Sequence, residues 1–73
     1  MKILGERIKE LRKSRNLLQK QLAEVLNVTS DAIIRFESGV RRPSLDNLII
    51  LADYFGVSLD YLVGRTDKKE INS

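Results

Sequence analysis

The sequence predicts an all-α, compact five-helix domain, and three observations carry that prediction. Apolar residues recur at three- and four-residue intervals from Leu4 to Leu62, each run is followed by an asparagine or a glycine, and no run suggests a strand.

The periodicity places helices at about 4–14, 18–26, 30–37, 45–55 and 59–63. Leu4, Ile8 and Leu11 share one face of the first, and Asn16 then ends it with a residue tolerant of positive φ. Leu22, Ala23 and Leu26 define the inner face of the second, closed by Asn27. In the third, Ala32, Ile33 and Phe36 point inward, Thr29 is placed to cap the start, and Gly39 ends it. Ser44 and Ser58 stand at the cap positions of the fourth and fifth helices, which Gly56 and Gly64 terminate. The expected core gathers Leu4, Ile8, Leu11, Leu22, Leu26, Ile33, Phe36, Leu45, Leu48, Ala52, Phe55, Leu59 and Leu62.

Residues 1–65 form one expected domain; residues 66–73, TDKKEINS, lose the apolar periodicity and are expected to fray. A chain of 73 residues is near the size at which a single core sustains itself without staples. There is no cysteine and no histidine, which excludes disulfides, thiolate or imidazole metal sites, and Ser-His or Cys-His nucleophile pairs. No enzyme activity, cofactor or metal is expected: the carboxylates are scattered and there is no phosphate-cradling glycine loop. The amino end, MKILGERIKE, becomes charged within six residues, so neither a signal peptide nor a membrane span is expected there and a cytoplasmic location fits.

Charge is unevenly spread. Residues 1–42 carry ten Lys/Arg and five Asp/Glu, residues 43–73 three and five, so the halves are +5 and −2. A basic amino-terminal half suits a polyanionic partner, because phosphate neutralisation supplies most non-specific affinity; an ordinary solvated surface is the alternative.

The most informative stretch is QKQLAEVLNVTSDAIIRFESGVRR, residues 19–42. Two short amphipathic helices flank a turn of three to four residues, where the stop at Asn27 and the start at Thr29 nearly coincide. That layout is a helix-turn-helix. Ser30, Asp31, Ile34 and Arg35 fall together on the face of the second helix opposite Ile33 and Phe36, which suits insertion into a major groove.

With GERIKELRKSRNLLQKQLAEVLNV, TSDAIIRFESGVRRPS and LDNLIILADYFGVSLDYLVG in register, the chain resembles the lambda-repressor-like, Cro and C1-type (XRE) helix-turn-helix family over residues 4–64. The resemblance implies a sequence-specific binder of double-stranded DNA and a transcriptional regulator, with repression the expected mode. It implies that Gln19 bonds a phosphate and a neighbouring base or side chain, and that Ser30, Asp31, Ile34 and Arg35 meet base edges. Arg12 and Glu37 match a family ion pair whose arginine also faces a phosphate. Arg41 and Arg42 match a second backbone clamp, and Lys20, Thr29 and Ser38 complete the expected backbone contacts.

Arg35 has the clearest chemistry, a guanidinium fork for guanine O6 and N7, with a phosphate contact or a pairing to Asp31 at i, i+4 as alternatives. Three residues depart from the family pattern. Asp31 places a carboxylate where neutral or basic residues are usual, either supporting the helix start through the macrodipole or accepting from cytosine N4. Ile34 replaces a polar residue, for contact with a thymine methyl or for no contact at all. Leu18 stands where a capping threonine or serine is usual, leaving the start of the second helix to Asn16 or a water, or packing on the first helix.

One reading helix spans part of a groove, so the resemblance implies a homodimer on a palindromic operator with half-sites ~34 to 36 Å apart. Ile50 and Tyr54, on a second face of the fourth helix, and Tyr61 are the candidate dimer contacts, with core packing as the alternative. A protein partner, in an antitoxin or anti-repressor on the same fold, is the second functional class, which Asp31 and Ile34 keep open.

Overall fold

The computed structural model describes residues 2–70, and five helices follow one another along them: α1 Lys2–Ser14, α2 Gln19–Leu26, α3 Ser30–Ser38, α4 Leu45–Phe55 and α5 Leu59–Leu62. No strand occurs among the described residues. The first helix starts two residues before the sequence suggests, the second starts one later, the third runs one residue longer and the fifth ends one earlier.

Most starts and stops have a visible cause. The Thr29, Ser44 and Ser58 hydroxyls accept from the amides of Ala32, Asn47 and Tyr61 at 3.1, 3.1 and 3.0 Å, satisfying donors that lack an intrahelical partner. Asn16 and Asn27 both adopt φ 56°, and the Val28 amide reaches back to the Ala23 carbonyl at 3.0 Å, closing α2 in one left-handed step. Gly39, at φ 82°, does the same for α3.

The start of α2 differs from expectation. Leu18 is 64% exposed and does not pack away on α1, and its side chain makes no cap hydrogen bond. Instead the Gln21 side chain folds back and its Oε1 accepts from the Leu18 amide at 2.8 Å. This is the return half of a capping box, with the forward half missing because a leucine side chain cannot accept. Gln19 is therefore set on an anchored first turn.

α1 packs mainly on α3, and α2 packs on α3, so α3 is held from two sides. The crossing of α1 and α3 is close at Gly5, where a Cβ would lie 2.5 Å from the Phe36 carbonyl oxygen and 2.6 Å from that of Glu37. Ile8, Leu22, Ile33, Phe36, Leu51 and Leu62 are almost wholly enclosed.

Two expected core residues lie outside it: Leu45 is 66% exposed and Leu59 39%. Leu48 is half-buried, and Leu51, Ala52 and Phe55 carry the inward stripe of α4, which rotates the buried face away from Leu45. Leu59 is displaced by Val57, which stands just before the cap residue Ser58 with Leu62 five positions on, the spacing of a hydrophobic staple; both are buried. Ala23, Ala32 and Tyr61 join the core as well.

Of the tail expected to fray, residues 71–73 lie outside the described residues. Within them, the Arg7 guanidinium donates to the Thr66 carbonyl at 2.6 Å and to Asp67 Oδ1 at 2.9 Å, and the Ser58 amide donates to the Lys69 carbonyl at 2.9 Å.

Candidate nucleic-acid interface

α2, the turn Asn27–Thr29 and α3 build the helix-turn-helix. Burial of Ala32, Ile33 and Phe36 fixes the rotation of α3, and that rotation leaves Ser30, Asp31, Ile34 and Arg35 exposed together, with Ile34 47% accessible.

Glu37 anchors the back of the site. Its carboxylate accepts from Arg12 Nε at 2.6 Å and Nη2 at 3.2 Å, and from Gln19 Nε2 at 3.2 Å, while Arg12 Nη1 donates to the Leu17 carbonyl at 2.8 Å. The Arg12 and Glu37 side chains are only 11% and 5% exposed. One carboxylate thus ties the end of α1, the start of α2 and the end of α3 together. Gln19 is held with its amide group beside this pair, half-buried rather than free on the surface.

The expected backbone contacts are of two kinds. Lys20, Arg41 and Arg42 are exposed, and the Arg41 guanidinium lies 5.6 Å from the centre of the Phe36 ring, which sets it beside the end of α3. Thr29 and Ser38 already bond within the chain, with different consequences. Thr29 Oγ1 accepts in its cap, so its own proton remains for a phosphate; Ser38 Oγ donates to the Arg35 carbonyl at 3.1 Å and must release that bond to donate elsewhere.

On the exposed face of α3, Arg35 Nε donates to Asp31 Oδ2 at 2.9 Å, the i, i+4 pairing that the sequence leaves as an alternative. Both side chains stay open, at 57% and 70% exposure.

The dimer candidates separate. Ile50 and Tyr54 are 39% and 38% exposed on α4. Tyr61 does not join them: it is 5% exposed, its ring lies 4.1 Å under the Arg7 guanidinium, and its carbonyl accepts from Arg7 Nη1. The short α5 packs against α1 and buries both Tyr61 and Leu62. Tyr54 is partly engaged as well, with Arg15 Nη1 on its carbonyl at 2.8 Å and the Arg15 guanidinium 5.4 Å from its ring.

Four residues of consequence escape the sequence reading. Gly5 and Gln21 carry a local signal, an isolated glycine in a helical pattern and a glutamine at the third position of a helix. Arg7 and Arg15 carry none, since each acts on a carbonyl more than 35 positions away.

A buried scaffold that presents one short helix outward, preceded by a second across a left-handed turn, defines a helix-turn-helix domain. The family model described as helix-turn-helix matches residues 8–62, and the chain belongs to this family, in its Cro/C1-type (XRE) branch. The HTH-type transcriptional regulator AnsR of Bacillus subtilis is 40% identical over 65 residues, covering 89% of this chain and 56% of that protein. The cryptic phage CTXphi transcriptional repressor RstR of Vibrio cholerae is 34% identical over 69 residues, covering 92% and 62%. The chain spans about half the length of the curated relatives it matches. Among solved structures, the P22 c2 repressor in complex with a synthetic operator is similar with a TM-score of 0.77 and 32% identity, covering 85% of this chain and 94% of that one. A transcriptional regulator from Listeria innocua is similar with a TM-score of 0.82 and 36% identity, covering 96% and 64%. No helix among the described residues is long and apolar enough to cross a membrane.

Proposed function

We propose that this chain is the DNA-reading part of a transcriptional regulator, with α3 entering the major groove of double-stranded DNA and two copies reading a palindromic operator, most simply to repress by occluding a promoter. The observation that carries this reading is the exposed face of α3, where Ser30, Asp31, Ile34 and Arg35 stand clear of the core on a helix fixed from behind by Arg12, Gln19 and Glu37. Lys20, Arg41 and Arg42 flank it with positive charge at either end of the motif, where phosphates would run. Ile50 and Tyr54, the exposed apolar pair on α4, form the proposed contact between copies. The repressor titles of RstR and of the operator-bound P22 c2 protein support the same reading by analogy.

Selection from a random duplex pool at two salt concentrations, with wild type and Arg35→Ala, tests it. An enriched palindrome with half-sites ~34 to 36 Å apart, relaxed at one base pair by Arg35→Ala while the salt dependence stays steep, is the expected result. Absence of any motif, with affinity vanishing at physiological salt, would favour a protein-binding role on the same fold, with Ile34, Ile50 and Tyr54 as the surface to probe.

A further inference from the structure

We infer that Asp31 is a positioning residue for base recognition: it holds Arg35 by Nε so that the outer edge of the guanidinium, Nη1 and Nη2, is presented end-on to a guanine. This inference rests on the DNA-reading function proposed above.

The pairing geometry carries it. Arg35 Nε donates to Asp31 Oδ2 at 2.9 Å, and the guanidinium makes no other side-chain hydrogen bond or ion pair among the described residues. A guanidinium can offer a guanine either its side, Nε with one Nη, or its end, the two Nη groups. With Nε taken, the side is closed and the end remains, its two parallel N–H bonds matched to O6 and N7. The helix supplies the rest. Side chains lean toward the amino end of an α-helix, and Asp31 lies one turn in that direction from Arg35, so the carboxylate sits where the arginine stem already points. Fixing the stem before DNA arrives also removes rotamer freedom that binding would otherwise have to remove.

Charge points the same way. An unpaired arginine on this face would be drawn to any phosphate, whatever the sequence, whereas the Asp31–Arg35 pair carries no net charge and gains only from directional bonds to a base edge. Asp31 therefore trades general affinity for selectivity. At 70% exposure it is open to solvent, and its place in the first turn of α3 also suits the helix dipole, so its two roles must be separated by experiment.

The experiment measures binding of wild type, Asp31→Ala, Asp31→Asn, Arg35→Ala and the Asp31→Ala/Arg35→Ala pair to the duplex selected by wild type, its single-base variants and a scrambled duplex. The expected result is that Asp31→Ala lowers guanine preference about tenfold at the same base pair that Arg35→Ala relaxes, the lower range of what a bidentate arginine–guanine contact supplies. Binding to the scrambled duplex should rise and its salt dependence steepen. Asp31→Asn, which keeps an acceptor for Nε, should recover part of the preference, and the double variant should show no further relaxation than Arg35→Ala alone.

Relaxation at a neighbouring pair instead would mean that Asp31 reads a base itself, and equal weakening on every duplex would mean that it only supports the helix; either overturns the inference while leaving the DNA-reading function standing. A wild-type chain that selects no motif overturns both.

Discussion

At the scale of single residues, Glu37 shows how a nearly enclosed polar group can join three helices. Its carboxylate is nearly enclosed and accepts from Arg12 twice and from Gln19 once, so the charge is compensated where water is scarce. Glu37→Ala leaves Arg12 enclosed without a counter-charge, and chemical unfolding should register a loss on the order of 3 to 5 kcal/mol. Replacing Arg12 and Glu37 together by apolar residues should cost less than the single change, which unfolding of the double variant checks directly. Gly5 answers to a different constraint, close approach of two backbones. Alanine is the better helix former by about 1 kcal/mol, yet Gly5→Ala should destabilise by about 1 to 3 kcal/mol, because the methyl would meet carbonyl oxygens of Phe36 and Glu37 that cannot swing aside as a side chain can. A variant more stable than wild type would refute the close packing of α1 on α3.

At the scale of elements, α2 is the helix with an incomplete start. Leu18 already has the extended backbone of a cap residue, φ −77° and ψ 155°, and only the hydroxyl is absent. Leu18→Ser should therefore stabilise the domain by about 1 kcal/mol, since little burial is lost at a residue 64% exposed and an amide of the first turn gains a partner; a rise in the denaturant midpoint with unchanged slope is the readout. Helix starts and stops were the most legible features of the chain. Thr29, Ser44, Ser58, Asn16, Asn27 and Gly39 act through neighbours within a turn, so their chemistry is written locally. The rotation of α4 was less legible. Its sequence is apolar on several sides, and Leu45, Ile49, Ile50 and Leu51 all compete for the core; packing against the other helices, not periodicity, selects Leu51 and leaves the rest outside.

At the scale of the whole molecule, positive and negative charge are unevenly divided between the helix-turn-helix and α4–α5. The basic residues Lys20, Arg41 and Arg42 flank α3, while α4 and α5 expose Asp46, Asp53 and Asp60, and α4 also exposes Ile50 and Tyr54. For the proposed dimer, Ile50→Asp should abolish cooperative binding to a full palindrome yet leave half-site affinity and thermal stability close to wild type, because the residue is exposed in the single chain. Sedimentation of the free chain and titration of half-site and full-site duplexes separate the two effects. Unchanged cooperativity would move the contact between copies away from α4.

The sequence by itself determined the number and order of helices, the position of the helix-turn-helix and the face of α3 turned outward, because caps, turns and amphipathic period are properties of neighbours along the chain. It also contained the Arg12–Glu37 pair through family resemblance and the Asp31–Arg35 pair through spacing. Only the tertiary structure decided that Gln19 joins Glu37 and that Tyr61 is sealed under Arg7 rather than offered to a partner. It alone also fixed the close approach at Gly5. Those contacts join residues far apart in the chain, and their geometry exists only once α1, α2, α3 and α5 have packed.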